Sequence, residues 1–128
     1  MAKRYGTILV VEDEATLRHV ITRNLEARGH AVRGAETATE ALRHLSNWTP
    51  DLMLLDINLP DRSGWDVLRE LRERGIQVPT VIVSAVRVSP ARLEEFRPVA
   101  YLPKPFPLDA LLRLVDSKEN QPAQTEVE

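Results

Sequence analysis

The chain contains no cysteine, so disulfides, zinc-thiolate centres and thiol nucleophiles are all excluded. It has almost no excess of charge: the formal net value is −2, which makes no electrostatic case for nucleic acid as a partner. Long apolar runs are missing too. The stretch "TILVVEDE" near the amino terminus holds an apolar run of four residues, too short for a signal-peptide core or a membrane span. A cytoplasmic protein without a membrane partner is therefore expected. No Walker-type glycine loop is present, so a phosphoryl group is not expected to arrive on a nucleotide bound in that manner. His19, His30 and His44 form neither a triad nor a metal-binding spacing, and His19 and His44 are expected to face solvent from helices.

What the sequence does contain is an ordinary globular balance. Apolar residues make up 43% and charged residues 28% of 128 residues, enough for one domain with a real core. Apolar runs alternate with helical patterns. Thr7 to Val11 reads as a buried strand, followed by a helical stripe of Leu17, Val20, Ile21, Asn24 and Leu25 that stops at Gly29. "HAV" suggests a weak second strand. A helix then opens at Thr37-Ala38-Thr39-Glu40, a capping-box pattern, and carries Ala38, Ala41, Leu42 and Leu45 on one face.

Asp51 to Asp56 is a third strand, apolar at four successive positions as befits a sheet covered on both faces. Ser63 caps a third helix with Trp65, Leu68 and Leu71 inward. Thr80 to Ser84 is a fourth strand, and Ser89-Pro90 supplies the cap and first position of a fourth helix. Val99 to Leu102 makes a short fifth strand; Leu108, Leu111, Leu112 and Val115 mark a last helix. Five strand–helix repeats imply a doubly wound α/β fold, because parallel strands need crossover connections. The tail Ser117 to Glu128 is polar and expected to be disordered.

In open parallel sheets, ligands sit at the carboxyl ends of the strands. The residues there are Glu12-Asp13 after the first strand, Asp56 at the end of the third, Ser84 at the end of the fourth and Lys104 after the fifth. Each has a plainer explanation alone. Acids after a strand cap the next helix, an aspartate before Asn58 and Pro60 starts a turn, a strand-end serine bonds nearby backbone, and a lysine is usually a solvated charge. Four such coincidences at four strand ends are less economical than one shared site. Three neighbouring carboxyl groups raise one another's pKa, and a hard divalent cation relieves that repulsion. Oxygen donors without imidazole or thiolate favour Mg²⁺ over zinc. Beside such an ion, a lysine and a hydroxyl suit a phosphoryl group, which a carboxylate can accept as an acyl phosphate.

The segments "ILVVEDE", "LLDINLPDRSGWDVL", "VIVSA" and "YLPKPF", in this order, resemble the receiver domain of two-component response regulators. The resemblance covers residues 5 to 116 and implies a flavodoxin-like (βα)5 domain with a parallel five-stranded sheet in the order 2-1-3-4-5. It also implies roles. Asp56 matches the aspartate phosphorylated by a sensor histidine kinase or histidine phosphotransfer protein. Glu12 and Asp13 match the acid pair that binds Mg²⁺ with Asp56, and Asn58 the position whose backbone carbonyl completes that set. Ser84 matches the hydroxyl that contacts the phosphoryl group and reorients, Lys104 the phosphate-binding lysine, and Lys104-Pro105 a bond usually cis. Tyr101 matches the aromatic switch residue, although an ordinary half-buried aromatic explains it equally well.

Two departures stand out. Glu12 replaces a more common aspartate, and "VRVSPARLEEFRPVA" is shorter than usual by roughly half a helical turn and lacks the customary Gly-Ala pair. A short or displaced fourth helix is expected. The implied function is a phosphorylation-activated switch rather than an enzyme acting on outside substrates. It would signal through an unknown downstream protein, as a stand-alone receiver and a monomer or weak homodimer. The alternatives are a degenerate receiver that binds partners unphosphorylated, or the receiver portion of a longer regulator. A phosphatase of the haloacid dehalogenase type would need an acid where Asn58 stands.

Overall fold

The computed structural model describes residues 5–116; the expected polar tail lies outside the described residues. The observed elements are β1 (Thr7–Val11), α1 (Ala15–Ala27), β2 (Ala31–Ala35), α2 (Ala38–Leu45) and β3 (Leu52–Asp56). They continue with α3 (Gly64–Glu73), β4 (Thr80–Ser84), α4 (Pro90–Phe96), β5 (Ala100–Pro103) and α5 (Leu108–Asp116). All pairings are parallel and the strand order is β2-β1-β3-β4-β5, as expected of a doubly wound sheet.

Side chains along each central strand alternate between two cores, because strand residues point to opposite faces in turn. Leu9, Val11, Met53, Leu55 and Ile82 face α2 and α3, against Ala38, Ala41, Leu42, Leu45, Val67 and Leu71. Ile8, Val10, Leu52, Leu54, Val81 and Val83 face α1 and α5, against Ile21, Leu25, Leu111, Leu112 and Val115. Burial on both faces explains why β1, β3 and β4 read as unbroken apolar runs. Among the described residues no helix is long and apolar enough to cross a membrane.

Several local details differ from the sequence pattern. Val20 is 40% exposed, because the buried stripe of α1 narrows to Ile21 and Leu25. The edge strand β2 extends to Ala35, and β5 begins one residue later than its apolar run suggests. At α2 the Thr37 hydroxyl accepts from the Glu40 N–H at 3.0 Å, but the Glu40 carboxylate accepts from Glu36 rather than closing the box on Thr37. The complete capping box lies at α3, between Ser63 and Asp66. His19 is exposed, whereas His44 is half-buried and meets the Trp48 ring edge-on.

The shortened segment before β5 does form a short helix. Helix α4 has seven residues, none of them buried, with Ser89 as its cap and Pro90 at its first position. Its main anchor is aromatic: Phe96 stacks on Trp65 of α3 with ring centroids 5.3 Å apart and planes at 19°. Such a contact adds about 0.5–1.5 kcal/mol beyond area burial. Arg97 then ends the helix with φ at 47°, in the left-handed region that glycine occupies without strain. At the other end of the sheet from the strand-end acids, Leu68, Leu71, Ile76, Val78, Phe96 and Val99 line a groove of about 740 Å³.

Two substitutions test this packing. A Cβ on Gly64 would lie 2.7 Å from the Asp56 carbonyl oxygen and 3.0 Å from the Ile57 Cα. Gly64→Ala is therefore expected to cost about 1–3 kcal/mol, read as a lower urea midpoint. Arg97→Gly should add about 0.5–1 kcal/mol of stability, read as a higher urea midpoint, since it relieves the left-handed backbone and loses only an exposed pair with Glu94.

Candidate functional site

Strand register decides which polar residues meet. Val11 pairs with Leu55, Asp56 with Val83, and Ser84 with Pro103, so the residues at or just past these strand ends share one rim. The Glu12 N–H continues the sheet by donating to the Ala35 carbonyl at 2.9 Å, which draws Glu12 into the interior. Its carboxylate accepts from the Glu14 N–H at 3.0 Å, and its carbonyl accepts from the Arg18 guanidinium at 2.7 Å. Asp13 stays exposed.

The centre of the site is the Lys104 ammonium. It donates to Asp56 Oδ2 at 2.8 Å and lies 2.9 Å from Glu12 Oε1. Its own backbone N–H is held by the Ser84 carbonyl at 2.8 Å, and the peptide bond to Pro105 is cis. Asp56 and Glu12 are buried, and the other Asp56 oxygen accepts from the Asn58 N–H at 2.9 Å. Carboxylate oxygens of Glu12, Asp13 and Asp56 all lie within 4.8 Å of one another. One ammonium against three carboxylates leaves two negative charges among these four side chains, when all are ionised, for a cation to offset.

Burial pushes the Glu12 carboxyl above its ordinary 4.5, and the nearby Asp56 charge adds to the rise; the bonds from Lys104 and Glu14 only partly oppose it. Burial alone would lower Lys104, but its hydrogen bonds and charge contacts with Asp56 and Glu12 outweigh this and raise it above 10.5. The ammonium is thus a fixed positive charge. The donor set is all hard oxygen, without imidazole or thiolate, a combination that suits Mg²⁺.

Ser84 is buried, and both hydrogen bonds of its side chain go to Val86: the hydroxyl donates to the Val86 carbonyl at 2.8 Å and accepts from its N–H at 3.1 Å. This is the local backbone contact that a strand-end serine readily makes. The Tyr101 hydroxyl donates to the same carbonyl at 3.5 Å. Val86 therefore connects the two candidate switch residues. Nothing in its residue type signals this, since only its backbone takes part. Sequence reasoning also missed Arg18, which holds the Glu12 carbonyl and approaches Glu36 at 3.7 Å. A third omission is Asp61, which reaches Ala38 and Thr39 more than twenty positions upstream.

A family model described as "Response regulator receiver domain" matches residues 8–116. The chain is 40% identical over 106 residues to the two-component response regulator PhoP of Pseudomonas aeruginosa, covering 81% of this chain and 47% of that protein. It is 33% identical over 113 residues to the DNA-binding transcriptional regulator NtrC of Proteus hauseri, covering 87% of this chain and 24% of that one. The chain thus spans about half or less of the curated relatives it matches. Among solved structures, a CheY-like receiver domain protein from Methanospirillum hungatei aligns with TM-score 0.81 at 26% identity over all of both chains. TrrA of Thermotoga maritima, solved in complex with Mg²⁺-BeF, aligns with TM-score 0.73 at 30% identity over 84% of this chain and 94% of its own.

Removal of the central charge tests the electrostatics. Lys104→Met leaves two buried carboxylates without their ammonium and is expected to cost about 2–4 kcal/mol near neutral pH without divalent ions. The Glu12 carboxyl, already raised, rises further. A folded-state pKa above the unfolded value favours folding at acid pH and loses that contribution as pH rises through the folded value. Urea midpoints of the variant should accordingly fall more steeply than those of the wild type as pH rises above the ordinary glutamate value of 4.5.

Proposed function

We propose a function from one premise: the chain belongs to the response regulator receiver domain family. In this reading Asp56 accepts a phosphoryl group from a phosphohistidine on a sensor histidine kinase or a histidine phosphotransfer protein. A carboxylate oxygen of Asp56 forms the new O–P bond as the N–P bond breaks, and the imidazole nitrogen departs with the electron pair. The observation that carries this reading is the Lys104 ammonium, shared by buried Asp56 and Glu12 at 2.8 and 2.9 Å beside a three-carboxylate cluster.

Glu12, Asp13, Asp56 and the Asn58 backbone carbonyl would hold Mg²⁺, which when bound neutralises charge on the transferring phosphoryl oxygens. The remaining work falls to the chain. Asn58 holds one Asp56 oxygen through its N–H and orients the carboxylate. Lys104, permanently charged, transfers its hydrogen bond from the carboxylate to a phosphoryl oxygen. Ser84 donates to a second phosphoryl oxygen by releasing the Val86 carbonyl. Tyr101 bonds the same carbonyl, so that release alters its partner as well. The charge arriving at Asp56 is thereby passed to the loop before α4 and to β5, where a downstream protein would sense it.

Whether the domain acts alone or as the receiver portion of a longer regulator bears on its output. The matched relatives include proteins named as DNA-binding transcriptional regulators, of which it spans 24–28%. The net charge of −2 concerns this chain and not such a whole protein.

Incubation with acetyl phosphate and Mg²⁺, followed by intact-mass measurement, tests the reading. One phosphoryl adduct is expected on the wild type and on Asp51→Ala, whose side chain bonds Thr7 instead. None is expected on Asp56→Ala or after chelation of Mg²⁺. A wild-type chain that stays unlabelled overturns the proposal in favour of an unphosphorylated binding module.

A further inference from the structure

The loop between β3 and α3 is well tied at its base. The Ile57 N–H donates to Val83 at 3.1 Å, the Gly64 N–H donates to Ile57 at 2.8 Å, and Asn58 pairs with Ser63 in an antiparallel bridge. Its tip is tied elsewhere. Asp61 Oδ1 accepts from the Ala38 and Arg62 N–H groups, both at 2.9 Å. Asp61 Oδ2 accepts from the Thr39 N–H at 2.9 Å and the Thr39 hydroxyl at 2.7 Å. A residue of the phosphoacceptor loop thus caps the first turn of a different helix, with its negative charge at the positive end of α2. Slight desolvation raises the Asp61 carboxyl, but these bonds outweigh it and hold the group well below the usual carboxylate range.

The location of that helix end gives the contact its meaning. Ala35 accepts the backbone bond of Glu12, and three residues later the chain reaches Ala38, which Asp61 holds. One side of the candidate ion site, Glu12 and Asp13, is therefore linked through Ala35 and α2 to the loop that carries the other side, Asn58. Helix α2 does not need Asp61 for every cap, because Thr37 satisfies the Glu40 N–H by itself. The β1–β3 pairing of Val11 with Leu55 links the two sides beneath the site, and the Asp61 contact adds a second link around it, at the loop tip.

We propose that Asp61 is a positioning residue for divalent-ion binding: it fixes the spacing between Glu12-Asp13 and the Asn58 carbonyl by clamping the loop tip to α2. The proposal rests on the receiver reading of the site, because it assigns Asn58 a place beside the ion. Asp61 is exposed and touches neither the ion nor the phosphoryl group, so its effect passes through backbone placement.

Calorimetric titration with Mg²⁺ alone tests the clamp without any phosphoryl transfer. For Asp61→Ala, the Mg²⁺ dissociation constant is expected to rise about tenfold, the range seen when groups orienting metal ligands are lost. Asp61→Asn keeps one accepting oxygen, enough for the Ala38 side or the Thr39 side but not both, and should recover only part of that affinity. Thr39→Val, which removes one bond to Asp61, should show a smaller loss in the same direction. Thr37→Ala is the control: it removes the cap that α2 supplies for itself and lowers the thermal midpoint, but should leave Mg²⁺ affinity unchanged. In acetyl phosphate labelling, Asp61→Ala should require more Mg²⁺ for half-maximal rate and reach a plateau within about twofold of wild type. Wild-type Mg²⁺ affinity in Asp61→Ala, or equal losses in Thr37→Ala, would reduce Asp61 to a helix cap and overturn the proposal. A wild-type chain that binds Mg²⁺ but takes no phosphoryl group sinks the phosphoacceptor reading and leaves the clamp standing on the titration. A wild-type chain that binds no Mg²⁺ overturns both.

Discussion

Everything at the carboxyl edge of this sheet is arranged around one ammonium between two buried carboxylates. Burying Asp56 and Glu12 without a cation would be costly, since desolvation penalises ionised groups far more than neutral ones. Lys104 offsets that cost in the resting protein, and its backbone is in turn held by Ser84 at the end of β4. In the proposed function, the residue that neutralises the site also meets the arriving phosphoryl group. Such a site is poised electrostatically: it favours a bound cation at its carboxylates, and a phosphoryl group can replace a carboxylate as the lysine's partner.

The same constraint explains how the site communicates. Gly64 packs so closely on the Asp56 carbonyl that no side chain fits between them, which couples the first turn of α3 to the end of β3. Trp65 comes next in the chain and stacks on Phe96, the aromatic anchor of a helix whose apolar residues are only partly buried. On the other side, the Val86 carbonyl receives both the Ser84 and Tyr101 hydroxyls. Helix α4 is therefore attached to the site from two directions by a few specific contacts and little buried area. Elements with few buried contacts open at low free-energy cost, as the proposed switch requires of α4.

Much of this is legible in the order of residues along the chain. The alternation of apolar runs with helical stripes points to the fold, because runs buried on both faces imply a covered parallel sheet. Glu12, Asp13, Asp56, Ser84 and Lys104 stand out as polar residues at or just past the carboxyl ends of strands, and the register brings Glu12, Asp56 and Lys104 into contact. Val20 marks where such reasoning fails: its helical spacing is correct, but the face it occupies is not covered by a neighbour. The Glu40 carboxylate likewise has the spacing of a capping box, but it accepts from the Glu36 N–H one residue before the cap.

By itself, the sequence determined the order of the elements, the sheet they must form and the chemical types gathered along its carboxyl edge. These depend on periodicity and on residue identity at strand ends, both of which are local. Tertiary structure alone decided that Asp61 grips the start of α2, that Arg18 holds the Glu12 carbonyl, and that Ser84 and Tyr101 share Val86. Those contacts depend on the path of loop backbone and, for Asp61 and Tyr101, on partners distant in the chain, and hydrogen bonds to main-chain groups leave no mark in residue type.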